Sequence, residues 1–211
     1  MGDFEALANA IIACDVAKVV EETQKAVDAG SKPVDIIELG LISGMNVVGQ
    51  RFKKGDMYVP EVLMAAKAMN DGMSIVKPLL VEGERAVAKK VVLGTVAGDL
   101  HDIGKNLVGM MMESGGLEVV DVGVDVPPEK IAEFVREHKP DVVGLSALLT
   151  TTMLVMKDTI EVLVEEGLRD SVKIIVGGAP VTQDFADEIG ADGWAPDAAS
   201  AKDLAIELAA K

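Results

Sequence analysis

The chain has 211 residues, 49% of them hydrophobic, which suits one or two domains with a real core and excludes a disordered polypeptide. A formal charge of −15 lacks the basic face that a nucleic-acid partner requires, and the single cysteine, Cys14, excludes a disulfide framework or a cysteine metal cluster. No apolar run approaches the roughly 20 residues that span a bilayer, and no basic-then-apolar leader is present, so the expectation is a cytoplasmic protein that binds neither membrane nor nucleic acid.

Residues 1–85 read as helix after helix. A short segment, Phe4–Ala13, comes first. Asp15 then caps a helix through Val16, Val19, Val20 and Ala26 that stops at Gly30. Pro33 suits a first helical turn, and Ile36, Ile37, Leu41 and Val48 follow at helical spacing towards Phe52. Gly55-Asp56 breaks that run. Pro60 opens a fourth helix carrying Val62, Leu63, Ala66, Met69, Met73 and Val76, which makes enough helices for a small bundle. The charged stretch Val81–Ala88 reads as a linker.

Residues 86–211 alternate strand and helix. Strands are expected at Val91–Val96, Leu117–Val122, Val142–Ser146, Val172–Val176 and briefly near Trp194. Helices are expected over 105–114, from Pro127-Pro128 to His138, at Thr152–Glu166, Thr182–Ile189 and Ala198–Ala210. Continuous apolar strands between helices indicate a parallel sheet covered on both faces. The expected fold is therefore α/β: an N-terminal four-helix bundle followed by a flavodoxin/Rossmann-like, doubly wound parallel sheet of about five strands.

Three segments follow strands at the carboxyl edge, where such sheets bind ligands. The first is Gly98-Asp99-Leu100-His101-Asp102-Ile103-Gly104-Lys105-Asn106. Asp99 and His101 lie two apart, so on extended chain they share a side, and the carboxylate can hold one ring nitrogen while the other faces a metal. Gly104 leaves room for close approach at the start of the next helix. The second segment is Ser146-Ala147-Leu148-Leu149-Thr150-Thr151-Thr152. Its threonines suit a helix cap, and Ser146 is a candidate partner for Asp99 or for a ligand. The third, Gly177-Gly178-Ala179-Pro180, reads as a tight turn that also lets a slender ligand pass along the edge. The Gly-rich dinucleotide pattern is absent after the first strand, which argues against NAD or FAD. The many methionines fill an aliphatic core; those near Tyr58–Met64 can instead cover a large flat ligand.

The pattern Asp99-x-His101-x-x-Gly104, with Ser146-x-Leu148 and Gly177-Gly178 downstream, resembles the cobalamin-binding domain of methionine synthase and of corrinoid methyl-carrier proteins. The helical first part resembles their cap module, so the likeness covers nearly the whole chain. It implies a cap over residues 1–85, a cobalamin-binding domain over 86–211, and cobalamin or a related corrinoid as cofactor. It implies His101 as the lower axial ligand of cobalt, steadied by Asp99, with Ser146 in a proton relay. Ser146, Leu148 and Thr150 would line a slot for the corrinoid's nucleotide base, kept open by Gly177 and Gly178. Asp102, Ile103 and Gly104 would meet the cofactor from the histidine loop and Met64 from the cap. Asp192-Gly193-Trp194-Ala195, after the last strand, is a further candidate contact. The implied partners are a substrate-specific methyltransferase, a second methyltransferase acting on tetrahydrofolate or a thiol carrier, and a reductive activase. A small subunit of a cobalamin-dependent mutase and a cobalamin-binding sensor remain as alternatives, and the methyl donor stays open among methylamines, betaines, methanol and methoxy-aromatics.

Overall fold

The computed structural model describes residues 4–80 and 89–210. The expected linker Val81–Ala88, and with it the expected boundary at 85/86, lies outside the described residues. The described chain divides into a helical unit and an α/β unit.

In the helical unit, α1 (Glu5–Ile12) leads into α2 (Val16–Asp28), whose N-cap Asp15 accepts the Lys18 amide at 3.0 Å. The next rod runs from α3 (Pro33–Asp35) through a π-helical stretch, Ile36–Ile42, into α4 (Ser43–Lys54). Helical spacing alone predicts one unbroken α-helix there. The structure widens the rod where it meets α1: a Cβ on Gly44 would lie 2.7 Å from Ile11 Cβ and 2.8 Å from the Ala8 carbonyl. That backbone approach admits only glycine. The helix α5 (Val59–Val76) starts where the Tyr58 amide donates to Glu61 Oε2 at 2.8 Å, and a single 3-10 turn, Lys77–Leu79, follows it. Leu7, Ile11, Val19, Leu41, Met45, Val62 and Met69 are all buried, which gives this unit an aliphatic, methionine-filled core.

The α/β unit runs β1 (Lys90–Val96), α6 (Ile103–Ser114), β2 (Glu118–Val126), α7 (Pro128–His138), β3 (Val142–Ser146), α8 (Leu154–Glu165), a 3-10 turn, β4 (Lys173–Gly177), α9 (Gln183–Ile189), β5 (Gly193–Ala195) and α10 (Ala198–Ala209). The five strands are parallel in the order β2-β1-β3-β4-β5. Alternate residues of each strand serve opposite faces. Val92, Val143 and Ile174 pack with Ile131, Val135, Met156 and Leu163 on one side. Val91, Val142 and Ile175 pack with Met112, Ala201 and Ala205 on the other. Burial on both sides is why the strands read as continuous apolar runs. Because β1 has β2 on one flank and β3 on the other, the chain reverses its winding direction there, which is where sheets of this kind bind ligands.

Two boundaries depart from the sequence reading. Helix α8 begins at Leu154, with Thr152 in the turn before it. Strand β2 extends to Val126 with register shifts opposite Gly94, and these bulges carry its end out towards the histidine loop.

Candidate functional site

The chain leaves β1 at Val96, turns through Gly98 in the left-handed region, and buries Asp99 completely. Five donors converge on its carboxylate. Oδ1 accepts the His101 amide at 3.1 Å and lies 2.6 Å from His101 Nδ1. Oδ2 accepts the Leu148 and Leu149 amides at 2.8 and 3.3 Å and the Thr152 hydroxyl at 2.7 Å. Burial pushes the carboxyl pKa up, but the hydrogen bonds from Thr152, Leu148 and His101 outweigh it and hold Asp99 well below the usual carboxylate range.

The role of the near ring nitrogen follows from that charge. An ionised carboxylate only accepts, so Nδ1 must donate and Nε2 is the nitrogen left for a ligand. No hydrogen bond engages Nε2 among the described residues, and the side chain is half exposed. The Thr95 hydroxyl fastens the His101 carbonyl at 3.0 Å from the buried end of β1. The result is an imidazole held by Nδ1, with Nε2 as the nitrogen a metal could take. No group of three or more metal-ligating side chains exists among the described residues, so the arrangement suits a metal whose other ligands come from a cofactor.

The loops around His101 expose large aliphatic side chains. Leu100 and Ile103 are 71% and 80% exposed in the histidine loop, and Leu148, Leu149 and Leu154 are also left in water. Such a surface suits a broad, partly apolar ligand. Gly104 has no heavy atom within 4 Å of where a Cβ would stand. Gly178 is more constrained: with φ +125, its Cβ would fall 1.8 Å from the Ala147 carbonyl oxygen, so the turns after β3 and β4 touch backbone to backbone. Gly177 ends β4 beside Ala195.

Three sequence expectations need correction: the Ser146–Asp99 bond, the Thr152 cap and the placement of 193–195 after the last strand. Ser146 does not bond Asp99. It closes β3 in register with Thr95 and Gly177, while Asp99 lies past the end of β1, within reach of the following turn rather than of the strand. Thr152 supplies the hydroxyl instead of capping α8, and Leu148 contributes its amide while its side chain stays exposed. Thr150 is exposed. Asp102, just before α6, accepts from Asn106 Nδ2 at 3.1 Å. Residues Gly193–Ala195 are β5 itself, not a loop after it. Asp192 braces β4 through the Ile174 amide, and the Trp194 indole N–H is buried without a partner among the described residues. In the helical unit, Met64, Leu63 and Tyr58 are exposed on the first turns of α5.

Two residues escaped the sequence reading. Thr95 had a usable signal, since a hydroxyl in a strand buried on both faces needs a nearby acceptor. Thr152 had none that separates it from Thr150 and Thr151.

Residues 89–202 match the B12 binding domain, and residues 3–77 match a second B12 binding domain. The chain is 48% identical to the dimethylamine corrinoid protein of Methanosarcina barkeri, over 98% of this chain and 97% of that one. The chain belongs to the corrinoid-protein family. A corrinoid protein of Desulfitobacterium hafniense is 45% identical over 100% of this chain and 99% of its own length. Among solved structures, a cobalamin-binding protein from Desulfitobacterium hafniense superposes with a TM-score of 0.85 at 35% identity, covering 98% of both chains. The methanol:cobalamin methyltransferase complex of Methanosarcina barkeri contains a chain matching at TM-score 0.82 and 36% identity, covering 97% of this chain and 78% of that one.

The cofactor of this family is a cobalt corrinoid, and the residues present fit it. His101 offers one free imidazole nitrogen, and the surrounding loops offer exposed aliphatic surface for a macrocycle. No helix of the described residues is long and apolar enough to cross a membrane.

Proposed function

We propose that this corrinoid protein carries a methyl group on cobalt between a substrate-specific methyltransferase and a second methyltransferase that acts on tetrahydrofolate or a thiol carrier. The observation behind this reading is His101, whose Nδ1 is fixed by the buried Asp99 carboxylate and whose Nε2 has no hydrogen-bond partner among the described residues. The bound corrinoid supplies the cobalt that accepts and releases the methyl group.

The protein's part is ligation, shelter and presentation. His101 Nε2 would hold the cobalt of the corrinoid. Asp99 fixes the tautomer and strengthens the donor, and it keeps the Nδ1 proton within one hydrogen bond whether Nε2 is engaged or not. Thr152 and the Leu148 amide hold Asp99 ionised. Asp102, Ile103 and Gly104 meet the cofactor from the histidine loop, and Ser146, Leu148, Thr150, Gly177 and Gly178 line the slot for its nucleotide base. Residues 1–85 act as the cap, with Met64 contacting the ligand, and residues 86–211 as the binding domain. A mobile cap lets two methyltransferases reach the same cobalt in turn.

Relatives named for dimethylamine and trimethylamine support a methylated amine as the donor class. A reductive activase restores protein whose cobalt has been oxidised, and the system works in the cytoplasm. Neither a mutase subunit nor a sensor finds support among these relatives.

Electron paramagnetic resonance of protein loaded with Co(II)-cobalamin tests the reading. Nitrogen splitting from a protein imidazole is expected, and its loss in His101→Ala. Binding with the corrinoid's own base retained on cobalt would overturn His101 ligation.

A further inference from the structure

The histidine loop is braced from a direction that the Asp99–His101 pair does not explain. Strand β2 bulges as it ends, with Gly123 and Asp125 both in the left-handed region. For an aspartate that backbone is uncommon, and it is kept only where surrounding structure holds it. Here it turns both polar groups of Asp125 onto the loop. Asp125 Oδ1 accepts the Gly98 amide at 2.7 Å, and the Asp125 amide donates to the Asp99 carbonyl at 3.0 Å. The two contacts grip the residues on either side of the 98–99 peptide, immediately before His101.

A second tie reaches the other side of His101. Lys105, only 2% exposed, lies 2.5 Å from Asp121 Oδ2 on β2 and donates to Asn106 Oδ1 at 2.8 Å. Asp121 Oδ1 also accepts the Gly123 amide at 2.9 Å. Asn106 passes the connection on to Asp102, through its side chain at 3.1 Å and its backbone amide at 2.7 Å. A buried ammonium is tolerated only with such partners, and these direct it to the same bulge. Both flanks of His101 are thus anchored to the end of β2, while its side chain is anchored through Asp99 to the loop after β3.

We infer that Asp125 is a positioning residue for His101: by gripping Gly98 and Asp99 it holds the ligand loop in the conformation that presents Nε2, and so would set how fully the histidine ligates cobalt. The inference rests on the reading of His101 as that ligand, and it adds a residue acting from β2. It separates a carboxylate bridge from a backbone shape. Asp125→Gly keeps the left-handed backbone at no steric cost but removes the bridge to Gly98. Asp125→Asn keeps an acceptor oxygen and tolerates the same backbone.

The experiment has two readouts on the full chain. In the cofactor-free protein, amide hydrogen exchange across residues 98–101 is expected to speed up about tenfold or more in Asp125→Gly and to stay near wild type in Asp125→Asn. In protein loaded with Co(II)-cobalamin, the fraction showing protein-imidazole splitting is expected to fall at least twofold in Asp125→Gly and to be restored in Asp125→Asn. Wild-type protein without such splitting would overturn the His101 reading, and the inference with it. Splitting present in wild type and undiminished in Asp125→Gly would overturn the inference alone. Exchange raised across the whole α/β unit, with Asp125→Asn no better than Asp125→Gly, would also overturn it, because the residue would then be supporting the fold generally.

Discussion

Replacing Asp99 with asparagine changes one oxygen to an NH2 group, and the five donors around the carboxylate determine where that group goes. At the Oδ2 position it would face the Leu148 amide 2.8 Å away, donor against donor in a buried place. At the Oδ1 position it faces His101 Nδ1, which can switch from donor to acceptor. The second arrangement wins, and it moves the imidazole proton to Nε2, where it removes the lone pair a metal needs. Asp99→Asn therefore retains His101 yet loses its ligation. The substitution also costs stability. The His101 amide loses its acceptor, which costs about 1–3 kcal/mol for a buried donor, and the three bonds to Oδ2 each lose about 0.5–1 kcal/mol as their acceptor turns neutral. A total of about 3–5 kcal/mol is expected. In a chain of this length that corresponds to a fall in Tm of roughly 6–20 °C. Thermal unfolding of the cofactor-free protein and paramagnetic resonance of the Co(II)-loaded protein provide the two measurements. A Tm within about 2 °C of wild type together with unchanged imidazole splitting would refute the tautomer argument.

The other predictions use the same carboxylate and its neighbouring turns. Asp99 has its pKa lowered in the fold, so its stabilisation is complete above the ordinary aspartate value of about 3.9 and is lost as pH falls below that towards the folded value. Urea midpoints measured from pH 6 to pH 2 should thus decline more steeply for wild type than for Asp99→Asn, and parallel curves would count against the depressed pKa. Thr152→Val should cost about 1.5–3 kcal/mol in the cofactor-free protein, and Ser146→Ala no more than about 0.5 kcal/mol, by chemical denaturation; the reverse order would restore Ser146 as the partner of Asp99. Gly178→Ala places a methyl 1.8 Å from the Ala147 oxygen and should cost more than about 4 kcal/mol, seen as loss of folded protein by circular dichroism. A Tm unchanged in that variant would mean that the two turns move apart freely.

The fold was legible because its signals are local and repeated. Apolar runs of five to seven residues, bounded by glycine or proline and separated by helical periods, have few readings besides a parallel sheet. The His101 motif was legible for the same reason, since two residues separate nothing that tertiary structure must bring together. What stayed hidden depends on contacts distant in sequence. Thr152 reaches Asp99 across 53 positions, and nothing in a run of three threonines says which one turns inward. Ser146 occupies the plausible place in sequence, but strand register commits it to neighbours Thr95 and Gly177. The π-helical stretch Ile36–Ile42 was equally invisible, because the close approach of Gly44 to α1 is a packing fact that periodicity does not record.

Asp99 links folding to ligand presentation more tightly than its place in a short motif suggests. Its carboxylate bonds both the loop leaving β1 and the turn leaving β3, the two loops at the reversal of strand order. An unpaired carboxylate buried there would be untenable, so the turn amides and the Thr152 hydroxyl must close on it for the α/β unit to fold. Once they have closed, the remaining oxygen is aimed at His101 Nδ1 with no further adjustment. The ring orientation is thus settled before any cofactor arrives, and binding does not have to organise it. Disturbing the ring therefore need not touch the histidine, because any change that loosens Asp99, from Thr152 on one side or from the β2 bulge on the other, reaches His101 through Asp99.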